Sequence, residues 1–193
     1  MREETVKKVI VAHLKMQNQR CKLTKGAAPD ILKDGVALEI KGSKFDKPPV
    51  LKQLTGYAFS YADLEIALPY DALSLDFLYA LWCIECSIKS FALGRQRCIA
   101  VYLVGEVSSP ATSPGLYSVY KFSSVKDILD EWNTEVTSSA YLPYGTNIDE
   151  AISRTSGIAS GLDDRMRLWL KTKYIEANWT NKVSLQEGSN ETG

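Results

Sequence analysis

Val6, Val9, Ile10, His13 and Leu14 recur at helical spacing, which predicts an amphipathic helix over about residues 2–18 with one apolar stripe. The period then changes. In "AAPDILKDGVALEIKG" (27–42) the apolar residues Ile31, Val36, Leu38 and Ile40 share one side of a sheet if the chain turns at Asp34-Gly35. That dipeptide suits a type I′ turn, which needs positive φ at both positions, so a hairpin over about 28–42 is expected. Further on, the pattern predicts a helix from Pro49 to about Ala62, a strand "LEIALP" (64–69), a long apolar helix over about 71–92 and a strand "CIAVYLVGE" (98–106). "SSPATSPG" reads as a Pro/Ser loop, "LYSVYKF" as a strand, "SSVKDILDEW" as a serine-capped helix and "SGLDDRMRLWLKTKYIEANW" as a last helix. "KVSLQEGSNETG" reads as a disordered tail. Helices alternating with strands predict an α/β protein: one domain over 1–180 with a central mixed sheet flanked by helices, and a tail at 181–193.

Composition adds little to this frame. The chain has 193 residues, 45% hydrophobic and 24% charged, enough for one sizeable core. The start carries charges throughout, unlike a signal peptide, which points to an intracellular protein. The run at 75–94 is interrupted by Asp76, Glu85 and Lys89, so it reads as a buried helix rather than a membrane span. Its nearly all-round apolar surface predicts that Phe77, Leu81 and Trp82 are covered, in the core or at a homodimer face.

Net charge is zero, so no global field advertises a nucleic-acid partner. The local distribution differs: between Arg20 and Lys52 eight basic residues stand against four acids. Lys25, Lys44, Lys47 and Lys52 would form a basic rim of the kind a phosphodiester substrate needs, though lysine-rich loops are also ordinary solubilising surface.

The hairpin carries the chemistry. With Asp34-Gly35 as the turn, Ile31 faces Leu38 and Asp30 faces Glu39, and opposed residues share one side of a sheet. Lys41, two residues beyond Glu39, shares that side. Two carboxylates so close repel unless one is protonated or a cation sits between them. Mg²⁺ suits such a pair, since it binds through one or two carboxylates with waters and phosphate oxygens. A neighbouring lysine can position the attacking water or offset charge on the phosphate. An ion-pair ladder Asp30–Lys41–Glu39 fits the same spacing.

"PD" at 29–30, eight intervening residues and "EIK" at 39–41, after an opening helix and before another, resemble the PD-(D/E)XK nuclease superfamily. The resemblance implies a restriction-endonuclease-like fold and a Mg²⁺-dependent deoxyribonuclease, with Mn²⁺ able to substitute. Asp30 and Glu39 would hold metal and Lys41 would serve catalysis. Related nucleases bring a glutamate from the first helix to the metal; Glu3, at the edge of the apolar stripe, fits better than Glu4. "QLTGY" puts Gln53 and Tyr57 on one helical face, similar to the Q-h-x-x-Y signature of RecB-type exonucleases. By that likeness Gln53 orients the site and Tyr57 contacts DNA. The first 45 residues also resemble small Holliday-junction resolvases, so exonuclease and junction-resolving readings both stand. A non-catalytic DNA-binding or assembly protein that keeps the fold is the alternative; the intact Asp/Glu/Lys trio argues against it.

The remaining candidates are weaker. His13, the one histidine, lies in the apolar stripe and reads as a packed residue, which leaves a Ser-His-Asp mechanism without a base. Zinc ligands are poorly supplied. The order Cys21, then Cys83, Cys86 and Cys98, resembles iron–sulfur members of the superfamily. However, Cys83 and Cys86 fall inside an apolar helix, which argues against a cluster and for buried free thiols. No Gly-rich phosphate loop supports a nucleotide-binding reading.

Overall fold

The computed structural model describes residues 1–26, 28–91, 97–107, 115–139, 161–177 and 181–185. The order is α1 (Glu3–Met16), β1 (Lys22–Leu23), β2 (Ile31–Lys33), β3 (Val36–Ile40), α2 (Lys47–Ser60), β4 (Asp63–Pro69), a 3₁₀ turn (Tyr70–Ala72), α3 (Leu75–Phe91), β5 (Ile99–Glu106), β6 (Leu116–Phe122), α4 (Val125–Ser139), α5 over residues 161–170, a π-helical turn (Lys171–Glu176) and β7 (Lys182–Ser184). The seven strands form one sheet in chain order. β1, β2 and β3 run antiparallel, β3, β4 and β5 run parallel, and β6 and β7 return antiparallel. The α/β class and the mixed sheet expected from the sequence are therefore present.

The parallel middle explains the layering. α2 and α3 are the crossovers between β3, β4 and β5, and such strands are covered on both faces. One face packs against Val50 and Leu54 of α2, Phe77, Leu78 and Leu81 of α3, Trp132 of α4 and Trp169 of α5. The other packs against α1, whose buried residues Val6, Val9, Ile10, His13 and Leu14 are the stripe read from the sequence.

Local chemistry accounts for the element ends. Asp34 (φ 48°) and Gly35 (φ 83°) make the expected turn, with Ile31 opposite Leu38 and Leu32 opposite Ala37. α2 opens with a proline in its first turn, where the missing N–H costs nothing. Ser124 Oγ accepts from Asp127 N (3.1 Å), the serine cap expected for α4. Glu85 of α3 is fully buried and ties three elements together: it accepts from Ile99 N and Val125 N (3.0 Å each) and pairs with Lys89 (2.7 Å).

Three expectations need correction or restriction. The tail set at 181–193 is wrong for Lys182–Ser184, which pair with Leu116–Ser118 as β7; a three-residue edge strand leaves no readable period. Phe77 and Leu81 are buried, but Trp82 is 38% exposed and Tyr79 46%, so one side of α3 faces outward in this single chain. The Pro/Ser stretch at 108–114 lies outside the described residues. Among the described residues, no helix is long and apolar enough to cross a membrane.

Candidate active site

Asp30 closes the approach to β2, and its carboxylate is fixed by the backbone opposite: Ile40 N–H donates to Oδ2 at 3.0 Å. Its Oδ1 pairs with Lys7 Nζ of α1, also at 3.0 Å. Glu39, nine residues along the chain, is only 3% exposed. Lys41 Nζ lies 2.5 Å from Glu39 Oε1. Glu39 Oε2 is buried and has no hydrogen-bond partner of good geometry. Tyr57, from the face of α2 that packs on β3, also hydrogen-bonds the Glu39 carboxylate.

The trio anticipated from the sequence is thus brought together, but with different pairing. The ladder Asp30–Lys41–Glu39 is replaced by two separate pairs, Lys7–Asp30 and Lys41–Glu39. Nor does Glu39 lie on a solvent face. It is buried beneath Tyr57 of α2, while Asp30 stays partly exposed beside Lys7 of α1.

Burial pushes the Glu39 carboxyl above its ordinary value, and the Asp30 charge adds to this; Lys41 and Tyr57 pull the other way. Burial and the neighbouring Glu39 charge raise the Tyr57 hydroxyl well above the ordinary tyrosine value, so it stays a proton donor to the carboxylate.

A groove begins where the chain leaves β3. Gly42, Ser43 and Lys44 line a cavity of about 450 Å³ with Arg2 and Glu3, and Ser43 and Lys44 continue into a second of about 590 Å³ with Asp71 and Arg167. Gly42 is there because α1 starts against it: a Cβ would come within 2.8 Å of Glu3 N. Glu3 is exposed on the groove wall, while Lys7 on the next turn is the α1 residue that reaches Asp30.

The other expected residues divide. Tyr57 is buried against Glu39, whereas Gln53, one turn earlier, is exposed. Lys25, Lys44 and Lys52 are exposed. Lys47 is engaged at the surface: its ammonium contacts Ser74 Oγ and both oxygens of Asp76, each at 2.8 Å. His13 packs edge-on to Tyr102 (6.2 Å), and burial followed by Lys33 and Lys121 lowers its basicity, so it is neutral core. Cys83 and Cys86 are exposed on α3, not buried thiols as expected; Cys21 and Cys98 are half-buried.

Lys7 and Arg167 escaped sequence reading. Lys7 shares a helical row with Glu3, Ile10 and Leu14, a signal at the edge of the stripe that a single lysine does not advertise. Arg167 meets Leu73 O from 94 residues away, and its one local partner, Asp164, gives no hint of that contact.

Among the described residues, no three His, Cys, Asp or Glu side chains converge as a metal-holding group. A closed zinc-type site is therefore not formed there. The Asp30/Glu39 pair fits a hard cation that keeps waters and substrate oxygens as its other ligands.

No protein-family model matches this chain, and no curated protein or solved structure matches it.

Proposed function

We propose that the protein is a Mg²⁺-dependent deoxyribonuclease of the PD-(D/E)XK type, with a restriction-endonuclease-like core. The observation that carries this reading is the meeting of two carboxylates and a lysine at one end of the hairpin, with Glu39 buried beside a second acid.

Asp30 and Glu39 would hold the metal. When bound, the metal supplies Lewis-acid polarisation of a phosphate oxygen and a more acidic water. Lys41, released from Glu39, would steer that water or offset charge on the phosphate. Tyr57 would keep Glu39 aimed by donating to it. Asp30 would be held in position by the Ile40 N–H. Exposed Lys44 and Lys52, with Lys25 and Gln53, would meet the nucleic-acid backbone beside the groove.

A second reading is an ion-pair lattice that holds the hairpin to α1, within a non-catalytic DNA-binding or assembly protein. The two salt bridges, Lys7–Asp30 and Lys41–Glu39, favour it. Linear, single-stranded and four-way-junction DNA, each incubated with and without Mg²⁺, separate the two. Metal-dependent cleavage lost in Asp30→Asn supports the nuclease. No cleavage of any substrate in Mg²⁺ or Mn²⁺ favours the lattice.

A further inference from the structure

We propose that Lys7 is a built-in counter-ion for Asp30, which competes with a divalent cation and is released to a phosphate when nucleic acid arrives. The inference rests on the metal-holding reading of Asp30 and Glu39, and it concerns a residue outside the motif that suggested that reading.

Geometry sets up the competition. Asp30 Oδ2 is taken by a backbone N–H, which cannot move without unzipping the hairpin. Oδ1 is the oxygen left for a cation, and Lys7 Nζ occupies it at 3.0 Å. The backbone contact will persist; the lysine need not. Its side chain is 23% exposed, and four flexible carbons let the ammonium swing aside at little cost.

Charge gives the direction. Asp30 and Glu39 are neutralised by Lys7 and Lys41, so the cluster carries no net formal charge. A divalent ion added to that balance leaves an excess of positive charge with two ammonium groups close by, which disfavours its entry. A phosphodiester, with one negative charge, halves the excess and offers Lys7 a new partner. Metal and nucleic acid therefore bind better together than apart, and by linkage each strengthens the other by the same factor. Lys7→Met removes the competitor and uncouples the two.

The test is Mn²⁺ binding to the full chain without nucleic acid, read by the electron paramagnetic resonance of free Mn²⁺, for the wild type, Lys7→Met, Lys7→Arg and Asp30→Asn. Lys7→Met should bind Mn²⁺ roughly tenfold more tightly than wild type, within the usual range of such couplings. Lys7→Arg should stay near wild type, and Asp30→Asn should lose binding. A Lys7→Met affinity equal to or below wild type, with Asp30→Asn still abolishing binding, overturns the role of Lys7 and leaves the metal reading intact. Mn²⁺ binding to none of the proteins overturns both. A second measurement does not depend on the variant folding: in ¹³C-dimethylated wild type, the Lys7 resonance should shift as Mg²⁺ is added. A Lys7 signal that stays fixed while Mg²⁺ binds overturns the proposal.

Discussion

Glu39 and Glu65 lie one residue apart in the register of neighbouring strands, for Glu39 is opposite Ile66 and Leu38 is opposite Glu65. They therefore point to opposite faces of the same sheet, and both are buried (3% and 4% exposed). Their surroundings differ in one respect. Glu65 is a single acid between two lysines: Oε2 faces Lys33 and Oε1 faces Lys121, each at 2.8 Å. Those lysines are anchored again, Lys33 by the Tyr102 hydroxyl (3.0 Å) and Gln19, and both by the Tyr102 ring. Every charge there has a partner. At Glu39 two acids meet two lysines in separate pairs, and the chain runs on from β3 into the groove lined by Gly42, Ser43 and Lys44. Both carboxylates are buried and paired with lysines, so buried charge alone does not distinguish a site from a strut; the second acid beside Glu39 is what sets that cluster apart.

Stability should separate the two clusters most sharply. Glu65→Ala leaves the buried Lys33 without its carboxylate, and breaking a buried pair in this way costs about 3–5 kcal/mol. Urea unfolding should show that loss, while cleavage per folded molecule stays at the wild-type level. Glu39→Ala should cost less stability, because it also removes the repulsion between Glu39 and Asp30, and it should abolish cleavage. If both variants lose only stability, the two clusters are of one kind.

Next in size is the rate effect of Lys41→Ala. Losing one preorganised charge at the transition state costs about 10²–10³-fold, so cleavage in Mg²⁺ should fall by that factor with Mn²⁺ binding retained. Asp30→Asn should lose both. Wild-type cleavage by Lys41→Ala would mean that the pair Lys41–Glu39 is a strut like Glu65.

Glu39 should also give a pH signature. Its folded value lies above the ordinary 4.5. Between those two values the unfolded chain has released a proton that the folded chain keeps. Stability contributed by neutral Glu39 is thus complete below 4.5 and lost as pH rises through the folded value. Metal binding needs the ionised form, so Mn²⁺ affinity should rise over the same window, by at most about tenfold per pH unit for one proton. Glu39→Gln should flatten the stability trend. Mn²⁺ affinity independent of pH across this window would remove Glu39 from the metal site.

The hairpin was legible in the sequence because Asp34-Gly35 dictates its turn, and the turn dictates which residues face each other. The stripe of α1 was legible because five residues kept one period. What stayed hidden depended on partners far apart in the chain. Glu65 stands inside the apolar run "LEIALP", and its lysines come from β2 and β6. Lys7 meets Asp30 across 23 residues. The outward side of α3 was hidden for another reason: its residues are apolar nearly all round, so period could not tell covered Leu81 from exposed Trp82.

The smallest expected effect is the one at the turn itself. Asp34 sits four residues from Asp30 and five from Glu39, so its charge could be counted as a third acid of the site by proximity in sequence alone. The hairpin places it at the far end: Asp34 and Gly35 are the turn, exposed, while Asp30 and Glu39 are at the open end of the paired strands. Asparagine tolerates the positive φ of this position at least as well as aspartate, and Asn-Gly favours the same turn. Asp34→Asn should therefore change stability by no more than about 0.5 kcal/mol, as surface substitutions usually do, and leave Mn²⁺ affinity and cleavage unaltered. Both should be measured on the same preparation as Asp30→Asn, which removes the same charge four residues away. Equal losses in the two variants would mean that net negative charge on the hairpin, rather than the placement of Asp30 against Ile40 and Lys7, governs the metal.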